Sequence, residues 1–297
     1  MAEHRAGFVT LTGRPNVGKS TLLNAIVGRK ISITSSKPQT TRHRILGILS
    51  REDCQYIFVD TPGLHPASGR TINKIITRTA RSALVGVDVV VMMITSRGWS
   101  DQDRYVLRTL EEVSLPLVLA INKVDVLKDK TRLLPLIDES SRLASFQEIV
   151  PISATAGTNI EELLTALARY LPAGPMYFPD GQDTDRSREF MISELIREQL
   201  FRQLGQELPY ETAVRVAGVK DGDPLLIEAQ IWVDRDSQKG MVVGKGGQRI
   251  KNIGTNARKS IEQSTGKRVH LDIVVKVRKG WADNQADLHS LGYIEET

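Results

Sequence analysis

A glycine-rich segment near the N-terminus has the residue types that bind a polyphosphate. Residues 13–20 read GRPNVGKS, the pattern G-x-x-x-x-G-K-[ST], between an apolar run and a helix-like stretch. Glycines let backbone amides curl around phosphates, and the positive end of the next helix points at them. We expect Lys19 to reach the terminal phosphates and the Ser20 hydroxyl to ligate Mg²⁺. The phosphate-binding residues predicted from this segment are Gly13, Asn16, Val17, Gly18, Lys19, Ser20 and Thr21.

A carboxylate at the end of an apolar strand supplies a second part of this chemistry. Residues 60–63 read DTPG and follow the run that ends at Val59, so Asp60 lies at a strand terminus facing the phosphates. Mg²⁺ prefers oxygen ligands of this kind. We expect Asp60 to hold Mg²⁺ through water and the Gly63 amide to sense the γ-phosphate.

Two further segments follow strands and can select the base. In residues 122–125, NKVD, the Asp125 carboxylate would accept two hydrogen bonds from the ring N–H and exocyclic amine of guanine, which adenine does not present in that arrangement. Ser153 and Ala154 follow the next strand, where a backbone amide can approach the guanine oxygen. A phosphate loop alone fits a kinase, an ATPase or a GTPase, and these segments favour the last. The base-binding residues predicted are Asn122, Lys123, Asp125, Ser153 and Ala154.

The composition argues against several other classes of protein. The chain has 297 residues, 40% of them hydrophobic, which suits about two domains with separate cores. Its most apolar stretch, 84–95, is shorter than the roughly 20 residues that span a bilayer, so no transmembrane segment is expected. Cys54 is the only cysteine and the five histidines lack ligand spacing, so we expect neither a disulfide nor a transition-metal site. The N-terminus has no signal-like region, and a cytoplasmic protein is expected.

Residues 7–171 alternate short apolar strands with amphipathic helices, the pattern of a mostly parallel sheet with helices on both faces. Strands at 42–50 and 55–60 are separated by only a short polar turn, so we expect them to pair antiparallel at one edge. The expected strands are 8–11, 45–49, 56–59, 87–94, 117–121 and 148–152. The expected helices are 20–27, 72–84, 101–113, 131–143 and 160–170.

Two of these helix starts have the spacing of a capping box, in which a hydroxyl side chain and an acidic side chain satisfy backbone amides reciprocally. Ser100 with Asp103 is one, and Thr158 with Glu161 is the other. Both pairs predict where a helix that follows a strand begins.

The second half of the chain has a different order of elements. Residues 171–186 concentrate Pro, Gly and acidic residues without periodicity, as is typical of a linker. After it we expect a helix, two strands, a helix pair around Gly244 and a last strand, at 188–204, 212–219, 225–234 and 268–278. This order predicts an α+β module with its own core.

A G-x-x-G loop and a local excess of positive charge indicate a nucleic-acid partner. Residues 244–247 read GKGG between two helical stretches, which matches the loop with which KH domains clamp about four nucleotides of single-stranded backbone. Residues 237–280 contain eleven Lys or Arg against two Asp or Glu. A solvated helix face is the alternative explanation of that charge. The RNA-binding residues predicted are Gly244, Lys245, Gly246, Gly247, Arg249 and Lys251.

The order of the motifs resembles a known family. The chain reads GRPNVGKSTLLN, QTTRHR at 39–44, DTPG, NKVD and SA, which resembles the translation-factor-related GTPases and, among them, the Era family. The resemblance extends from Gly7 to Trp281 and implies an α/β P-loop GTPase domain, with a mostly parallel sheet and one antiparallel edge strand, followed by an α+β type II KH domain. It places the GTPase domain at 1–171, a linker at 172–186, the KH domain at 187–281 and a C-terminal tail at 282–297.

The resemblance also implies a slow intrinsic GTPase. Thr41 lies in the family's first switch and is expected as a second Mg²⁺ ligand in the GTP state, with Thr40 left open. Leu64 stands where Ras-like enzymes place the glutamine that orients the attacking water, and leucine cannot do this. Family members with asparagine at the position of Asn16 can recruit K⁺ near the phosphates, so K⁺ stays open as a second cofactor. The catalytic residues implied are Lys19, Thr41, Asp60 and Gly63.

For the second domain, the resemblance implies binding of the single-stranded 3′ region of small-subunit ribosomal RNA and help in assembling the 30S subunit. The residues themselves do not identify that RNA. A peripheral contact with the inner membrane stays open.

Two functions from different classes therefore fit the sequence. The first is an enzyme used as a switch, in which GTP hydrolysis biases RNA binding. The second is an RNA-binding assembly factor or chaperone that holds nucleotide mainly as a structural ligand. A P-loop kinase or ATPase is disfavoured by residues 122–125.

Overall fold

The computed structural model describes residues 3–38, 40–62, 71–82, 85–110, 114–205 and 207–294. These residues divide into two units, each with its own core. The first takes its residues from Met1–Ser32, Arg44–Pro66 and Thr77–Asp185. The second takes its residues from Ile33–His43, Ala67–Ile76 and Arg186–Thr297.

The first unit is built on a six-stranded sheet in the described part of the chain. Its strands are β1 (Arg5–Thr12), β2 (Ile45–Ser50), β3 (Cys54–Asp60), β4 (Val89–Thr95), β5 (Leu117–Asn122) and β6 (Glu148–Pro151). They lie in the order β2-β3-β1-β4-β5-β6. Only β2 and β3 pair antiparallel, which confirms the predicted parallel sheet with one antiparallel edge. β3 and β4 are buried along their whole length, which explains why residues 56–59 of β3 and 89–94 of β4 are continuous apolar runs rather than alternating ones.

Helices follow most of these strands, as expected of a doubly wound sheet. They are α1 (Lys19–Val27), α2 (Thr71–Ser82), α3 (Asp101–Leu110), α4 (Leu133–Leu143) and α5 (Ile160–Ala168), of which α2 belongs to the first unit only from Thr77 on. α1 begins directly after Gly18, whose φ of 108° is left-handed, and ends at Gly28, whose φ is 76°. Glycine takes such angles without the steric cost that a Cβ brings, so both ends of α1 are fixed by the sequence.

The two predicted capping boxes have different outcomes. At the start of α3 the backbone N–H and hydroxyl of Ser100 both donate to Asp103 Oδ2, and the Asp103 N–H donates to Ser100 Oγ, so this box is confirmed. The box at Thr158 and Glu161 is wrong. α5 begins after Asn159 in a left-handed conformation without a side-chain cap, and the Glu161 carboxylate pairs instead with Arg51.

The residues predicted as a linker extend the first unit up to Asp185. The Ala6 N–H donates to the Pro172 carbonyl at 3.1 Å, and the Gly174 N–H donates to the His4 carbonyl at 2.9 Å. Further on, the Ile48 N–H of β2 donates to the Asp183 carbonyl at 2.9 Å. This stretch therefore covers part of the edge strand β2, whose backbone groups would otherwise lack protein partners there.

The second unit has a three-stranded sheet in the described residues, with helices packed on it. Its elements are α6 (Arg188–Gln203), β7 (Thr212–Lys220), β8 (Leu225–Val233), α7 (Asp236–Val243), α8 (Gln248–Thr265), β9 (Val269–Val277) and α9 (Gln285–Ser290). The sheet order is β7-β8-β9, with β7 and β8 antiparallel and β8 and β9 parallel. The helix, strand, strand, helix, helix, strand order predicted for a type II KH domain is confirmed. α9 was not predicted; it contributes Leu288 to a cluster around the buried Trp281.

Candidate nucleotide site and nucleic-acid interface

The phosphate loop of the first unit lies between the end of β1 and the start of α1. Its backbone is left-handed at Asn16, with φ 65°, and at Gly18. A Cβ added to Gly18 would lie 2.3 Å from Asn122 Nδ2, and one added to Gly13 would lie 2.6 Å from the Met93 carbonyl oxygen. Both glycines are therefore required by the neighbours of the loop as well as by its own curl.

Lys19 is buried beneath this loop. Its ammonium group donates to the carbonyls of Gly13 at 2.7 Å and Arg14 at 3.1 Å. Burial lowers the pKa of Lys19 to about 8, and the negative charge of Asp60 offsets this only in part. Lys19 is thus held in the loop by two carbonyl groups. The charged oxygens of a phosphate can replace these carbonyls as hydrogen-bond acceptors.

A hydroxyl and a carboxylate meet next to the loop and form an oxygen-only donor set. The Ser20 hydroxyl donates to Asp60 Oδ2 at 2.8 Å, and Asp60 is completely buried at the end of β3. The Ser32 hydroxyl donates to the same carboxylate oxygen at 2.7 Å. Oxygen donors of this kind fit Mg²⁺, so the predicted ligands Ser20 and Asp60 are brought together. Ser32 was not predicted, because a serine after a helix carries no motif.

Asn122 connects three segments of the site through one side chain. Its Nδ2 donates to the Val17 carbonyl of the phosphate loop at 2.8 Å. Its Oδ1 accepts from the N–H groups of Lys123 at 2.7 Å and Ala154 at 3.0 Å. The amide of Asn122 therefore fixes the distance between the phosphate loop and the segment that carries Ser153 and Ala154.

The neighbours of Asn122 complete the base side of the site. Lys123 is left-handed, with φ 66°, and its ammonium group donates to the Asn16 carbonyl at 2.8 Å. Burial lowers the pKa of Lys123. The exposed Asp125 accepts a hydrogen bond from the Ser153 hydroxyl at 2.6 Å through Oδ1. The Ser153 hydroxyl thereby fixes the orientation of the Asp125 carboxylate. A carboxylate that recognises a base through hydrogen bonds needs a fixed orientation.

An ion pair that the sequence did not predict connects the phosphate loop to the start of α3. Arg14 Nε donates to Asp103 Oδ2 at 3.0 Å, and Asp103 is fully buried. Because Asp103 is also the capping residue of α3, the loop is tied to the start of that helix. The spacing of Ser100 and Asp103 gave a local signal, but nothing in the sequence paired Asp103 with Arg14.

Some predicted residues are not brought into this cluster. Gly63, together with Leu64 and Gln39, lies outside the described residues. Thr40 and Thr41 belong to the second unit, where Thr40 Oγ1 donates to the Lys37 carbonyl at 2.8 Å. The assignment of Thr41, or Thr40, to Mg²⁺ in the GTP state stays a prediction.

Residues next to these threonines form hydrogen bonds to backbone carbonyls of the second unit. The Lys37 ammonium group donates to the Phe201 and Leu204 carbonyls, both at 2.6 Å, at the end of α6. Arg42 donates to the carbonyls of Pro209 and Thr212. A cation at the C-terminal end of a helix is favourable because the last carbonyls carry partial negative charge.

The predicted RNA loop lies between α7 and α8. Gly244, Gly246 and Gly247 have φ values of 73°, 59° and 76°, and α8 begins directly after Gly247. Lys245 is exposed, and the Arg249 guanidinium donates to the Met241 carbonyl. An exposed cation beside a helix N-terminus can bind a nucleic-acid backbone.

Comparison with family models gives one match in each half of the chain. The model described as a 50S ribosome-binding GTPase matches residues 8–123. The KH domain model matches residues 207–282. Together they cover the candidate phosphate loop, residues 60–62 and 122–123 of the nucleotide site, and the whole G-x-x-G loop.

Comparison with whole proteins gives relatives that match this chain along nearly its entire length. GTPase Era of Coxiella burnetii (strain CbuG_Q212) is 52% identical over 290 residues, which are 97% of this chain and 98% of that protein. GTPase Era of Marinobacter nauticus is 47% identical over 291 residues, 98% of this chain and 95% of that protein.

Two solved structures have the same fold along nearly their whole length. One is a crystal structure of Era in complex with MgGDPNP and nucleotides 1506–1542 of 16S ribosomal RNA, with a TM-score of 0.92 and 36% identity over 98% of this chain and 99% of that one. The other is a variant of Aquifex aeolicus Era bound to GDP·AlF4⁻, with a TM-score of 0.92 and 36% identity over 97% of this chain and 99% of that one.

Proposed function

Because the chain belongs to the Era family of GTPases, as its motifs predicted, we propose that it works as a GTP-dependent switch in assembly of the small ribosomal subunit. It hydrolyses GTP to GDP and phosphate, the activity that the family's name states. Its second domain binds the single-stranded 3′ region of small-subunit ribosomal RNA; the related Era of known structure binds nucleotides 1506–1542 of 16S ribosomal RNA. Nucleotide state then biases RNA binding, and RNA binding assists 30S assembly.

The observation that carries the nucleotide half of this proposal is the Asn122 side chain. It holds the phosphate loop at Val17 and the Ala154 amide at once. A triphosphate in the loop is thereby placed at a fixed distance from Asp125, which the Ser153 hydroxyl orients. A ligand that carries both phosphates and guanine fits this spacing. The phosphate loop would bind one part of the molecule while Asp125 binds the other.

The chain's own residues prepare the phosphates for reaction. Lys19 exchanges the carbonyls of Gly13 and Arg14 for the terminal phosphates and neutralises their charge. Ser20 and Asp60 hold Mg²⁺, with Thr41 or Thr40 added in the GTP state, and Gly63 senses the γ-phosphate. The Mg²⁺ ion, when bound, offsets phosphate charge and holds the β- and γ-oxygens in place.

Asn16 is the residue proposed to bring K⁺ to the phosphates. It is exposed at the rim of the loop, and its left-handed backbone turns there. A monovalent cation at this position would add positive charge where Ras-like enzymes use an arginine finger.

Exchange of K⁺ for Na⁺ at constant ionic strength tests this proposal, and we expect hydrolysis to slow about tenfold, one tenfold step being about 1.4 kcal/mol of barrier. Asn16→Gly keeps the left-handed backbone and removes the amide, so its rate should be equal in the two salts. Equal rates of the unchanged protein in K⁺ and Na⁺ would remove K⁺ from the account.

The domain assignment follows from the same proposal. Residues 1–171 form the GTPase domain, 187–281 the KH domain and 282–297 a tail. Residues 172–186 lie between them in the sequence, and the hydrogen bonds of Pro172, Gly174 and Asp183 keep this segment with the first unit up to Asp185.

Location follows from the partners. We place the protein in the cytoplasm because its proposed partner is the RNA of the small ribosomal subunit. Among the described residues, no helix is both long and apolar enough to cross a membrane. Peripheral contact with the inner membrane rests on the resemblance alone. Flotation with vesicles of anionic lipid tests it, and protein that stays at the bottom of the gradient in every nucleotide state would rule it out.

Substitution of the base-reading carboxylate tests the guanine assignment. Asp125→Asn should shift preference from GTP toward xanthosine triphosphate by on the order of a hundredfold or more, because the new amide donor meets the xanthine oxygen. Asp129→Asn is a matched control, since Asp129 caps a short turn outside the site. Unchanged selectivity for GTP in Asp125→Asn would refute the assignment.

Hydrolysis with and without RNA separates the switch from the alternative of an RNA chaperone that only holds nucleotide. The switch predicts multiple turnover of GTP that speeds up with a single-stranded oligonucleotide of the 16S ribosomal RNA 3′ end. It also predicts RNA affinities that differ between the GTP, GDP and nucleotide-free states. Equal RNA affinity in all three states would favour the chaperone.

A further inference from the structure

A buried serine in the first unit directs its hydroxyl at the carboxylate that is expected to hold Mg²⁺. Ser32 is 1% exposed, and its Oγ donates to Asp60 Oδ2 at 2.7 Å. The two residues are 28 positions apart, and no motif of the nucleotide site contains Ser32. A hydroxyl on a buried carboxylate either satisfies its charge alone or also fixes the direction in which it acts. The surroundings of Ser32 favour the second role.

Asn24 holds the backbone of Ser32 from α1. Asn24 Oδ1 accepts from the N–H groups of Ser32 and Ile31, both at 2.9 Å. Asn24 Nδ2 donates to the Ser32 carbonyl at 2.7 Å. One side-chain amide therefore binds the backbone on both sides of the Ser32 Cα. The hydroxyl of Ser32 extends to Asp60 from a backbone that is fixed in place.

The same helix also positions the second hydroxyl on Asp60. Ser20 precedes Asn24 by four residues on α1, and residues four positions apart lie on the same face of a helix. The Ser20 hydroxyl donates to Asp60 Oδ2 at 2.8 Å, the oxygen that Ser32 also contacts. α1 therefore sets the position of Ser20 directly and that of Ser32 through Asn24.

Two hydroxyls on one oxygen restrict the Asp60 side chain. Asp60 is completely buried at the end of β3, and rotation of its carboxylate would break both hydrogen bonds. The proposed function uses the Ser20 oxygen as a ligand of Mg²⁺ and gives Ser32 no contact with the ion. Ser32 can therefore hold the carboxylate in one orientation both before and after the ion binds.

Ser32 keeps this position without help from the residues that follow it. Its hydrogen bonds join it to Asn24 and Asp60, and all three residues belong to the first unit. The next residues along the chain, Ile33–His43, belong to the second unit and include the predicted switch threonines. A rearrangement of residues 33–43 in the GTP state would therefore leave these hydrogen bonds intact.

We propose that Ser32 is a positioning residue for Mg²⁺. Its hydroxyl holds the Asp60 carboxylate in the orientation that binds the ion, and Asn24 holds Ser32. Ser32 thereby raises the affinity for the metal ion and contributes nothing to recognition of guanine or of the phosphates. This inference rests on the proposed GTP-binding function and adds a residue that sets how strongly Mg²⁺ supports nucleotide binding.

Titration calorimetry with the GTP analogue GDPNP, in EDTA and in excess Mg²⁺, measures the gain in affinity that Mg²⁺ provides. Ser32→Ala should reduce this gain about tenfold, the loss typical when a residue that orients a metal ligand is removed. Its affinity for GDPNP in EDTA should stay within about twofold of that of the unchanged protein, because the phosphate loop is intact. A purely structural hydroxyl would instead weaken binding equally in both conditions.

Ser140→Ala is the matched control. Ser140 is also fully buried in the first unit, on α4, where its hydroxyl donates to the Leu136 carbonyl at 2.7 Å and accepts from Trp99 Nε1 at 3.0 Å. Loss of this hydroxyl removes the acceptor of the Trp99 N–H, so the urea midpoint should fall. The gain in GDPNP affinity from Mg²⁺ should equal that of the unchanged protein.

Asn24→Ala tests the same set of contacts without removing the Ser32 hydroxyl. We expect it to reduce the gain from Mg²⁺ by a smaller factor than Ser32→Ala does. The double variant should lose no more than Ser32→Ala alone, because Asn24 acts on Asp60 through Ser32. Losses that multiply in the double variant would contradict this dependence.

The outcomes separate the role of Ser32 from the function on which it rests. An equal gain from Mg²⁺ in Ser32→Ala and the unchanged protein would overturn the role of Ser32 and leave the proposed function intact. Equal weakening in EDTA and in Mg²⁺ would overturn it as well. Should Ser32→Ala fail to fold, Asn24→Ala decides between these outcomes. Absence of GDPNP binding by the unchanged protein would overturn the GTP-binding function itself.

Discussion

Two glycine loops in this chain each end at the start of a helix, and they differ in what holds them. In the phosphate loop, a Cβ on Gly18 would clash with Asn122 at 2.3 Å, so neighbouring elements enclose the loop. In the G-x-x-G loop, a Cβ on Gly246 or Gly247 would meet nothing within 4 Å. The first loop is shaped by its surroundings. The second is shaped by its own backbone at Gly246 and Gly247, and by a neighbour at Gly244, where a Cβ would lie 2.7 Å from Arg249 Cβ.

The lysines of the two loops show the same difference. Lys19 is 8% exposed and donates to two carbonyls, whereas Lys245 is exposed. A buried, preorganised loop suits one small ligand of fixed shape. An open loop with surface charge suits a long, flexible polyanion, whose affinity depends on salt. The comparison therefore assigns the selective ligand to the first unit and the extended ligand to the second.

The largest effect is expected from Gly18→Ala. The added methyl group would displace Asn122 and strain a backbone with φ 108°, and together these should weaken GDP binding by on the order of a hundredfold, two tenfold steps. Titration calorimetry with GDP and Mg²⁺ measures it. RNA affinity in the absence of nucleotide should remain unchanged, and loss of both ligands would mean that the substitution unfolds the protein.

Removal of the ion pair that connects the phosphate loop to α3 should have the next largest effect. Arg14→Ala leaves the buried Asp103 carboxylate without its guanidinium partner, which should lower the free energy of unfolding by about 2 kcal/mol. The half-exposed pair of Arg51 with Glu161 is the comparison, and Arg51→Ala should cost no more than about 0.5 kcal/mol. Urea unfolding measures both, and equal losses would show that Arg14 is an ordinary surface charge.

Burial of Lys19 predicts that nucleotide binding takes up protons. Burial lowers the pKa of Lys19 to about 8 in the nucleotide-free protein, and phosphates beside it would raise that pKa again. The bound state therefore holds more protons, and GDP affinity falls as pH rises through 8.

Calorimetry in buffers of different ionisation enthalpy counts these protons. We expect uptake of about 0.5 proton at pH 8 and about 0.1 at pH 7. An equally small proton uptake at pH 7 and at pH 8 would mean that Lys19 keeps its ordinary pKa.

The smallest effect is expected from Gly246→Ala. A left-handed backbone costs alanine about 1 kcal/mol, and the added methyl group would contact no other residue. The affinity for RNA should therefore fall only about fivefold. Fluorescence anisotropy at two salt concentrations measures this loss. A loss above a hundredfold would show that the G-x-x-G loop is as tightly enclosed in its complex as the phosphate loop is.

The sequence predicted those parts of the molecule in which a local pattern determines the structure. Apolar runs gave the strands, and each motif at a strand end was placed where parallel strands bring their carboxyl ends together. This is why Ser20 and Asp60 meet, and why Asp125 and Ser153 do. The confirmed cap of α3 is equally local, since it joins residues three positions apart.

The sequence could not predict contacts that depend on packing between distant segments. Arg14 and Asp103 are 89 positions apart, and no pattern joins them. Asn122 was predicted as a nucleotide residue, but its hydrogen bonds to Val17 and Ala154 depend on the register of the sheet. The cap predicted at Thr158 failed because Asn159 takes a left-handed backbone before α5. α9 is a short helix whose place is set by the cluster around Trp281.

The central claim is that the first unit holds one ligand by its phosphates and by its guanine. Calorimetric titration of the folded protein with GDP and with ADP, each with Mg²⁺, tests it most directly. The account predicts that GDP binds and that ADP binds at least about a thousandfold more weakly, because adenine lacks the two donors that Asp125 accepts. Equal affinity for the two nucleotides, or no heat with either, would contradict it.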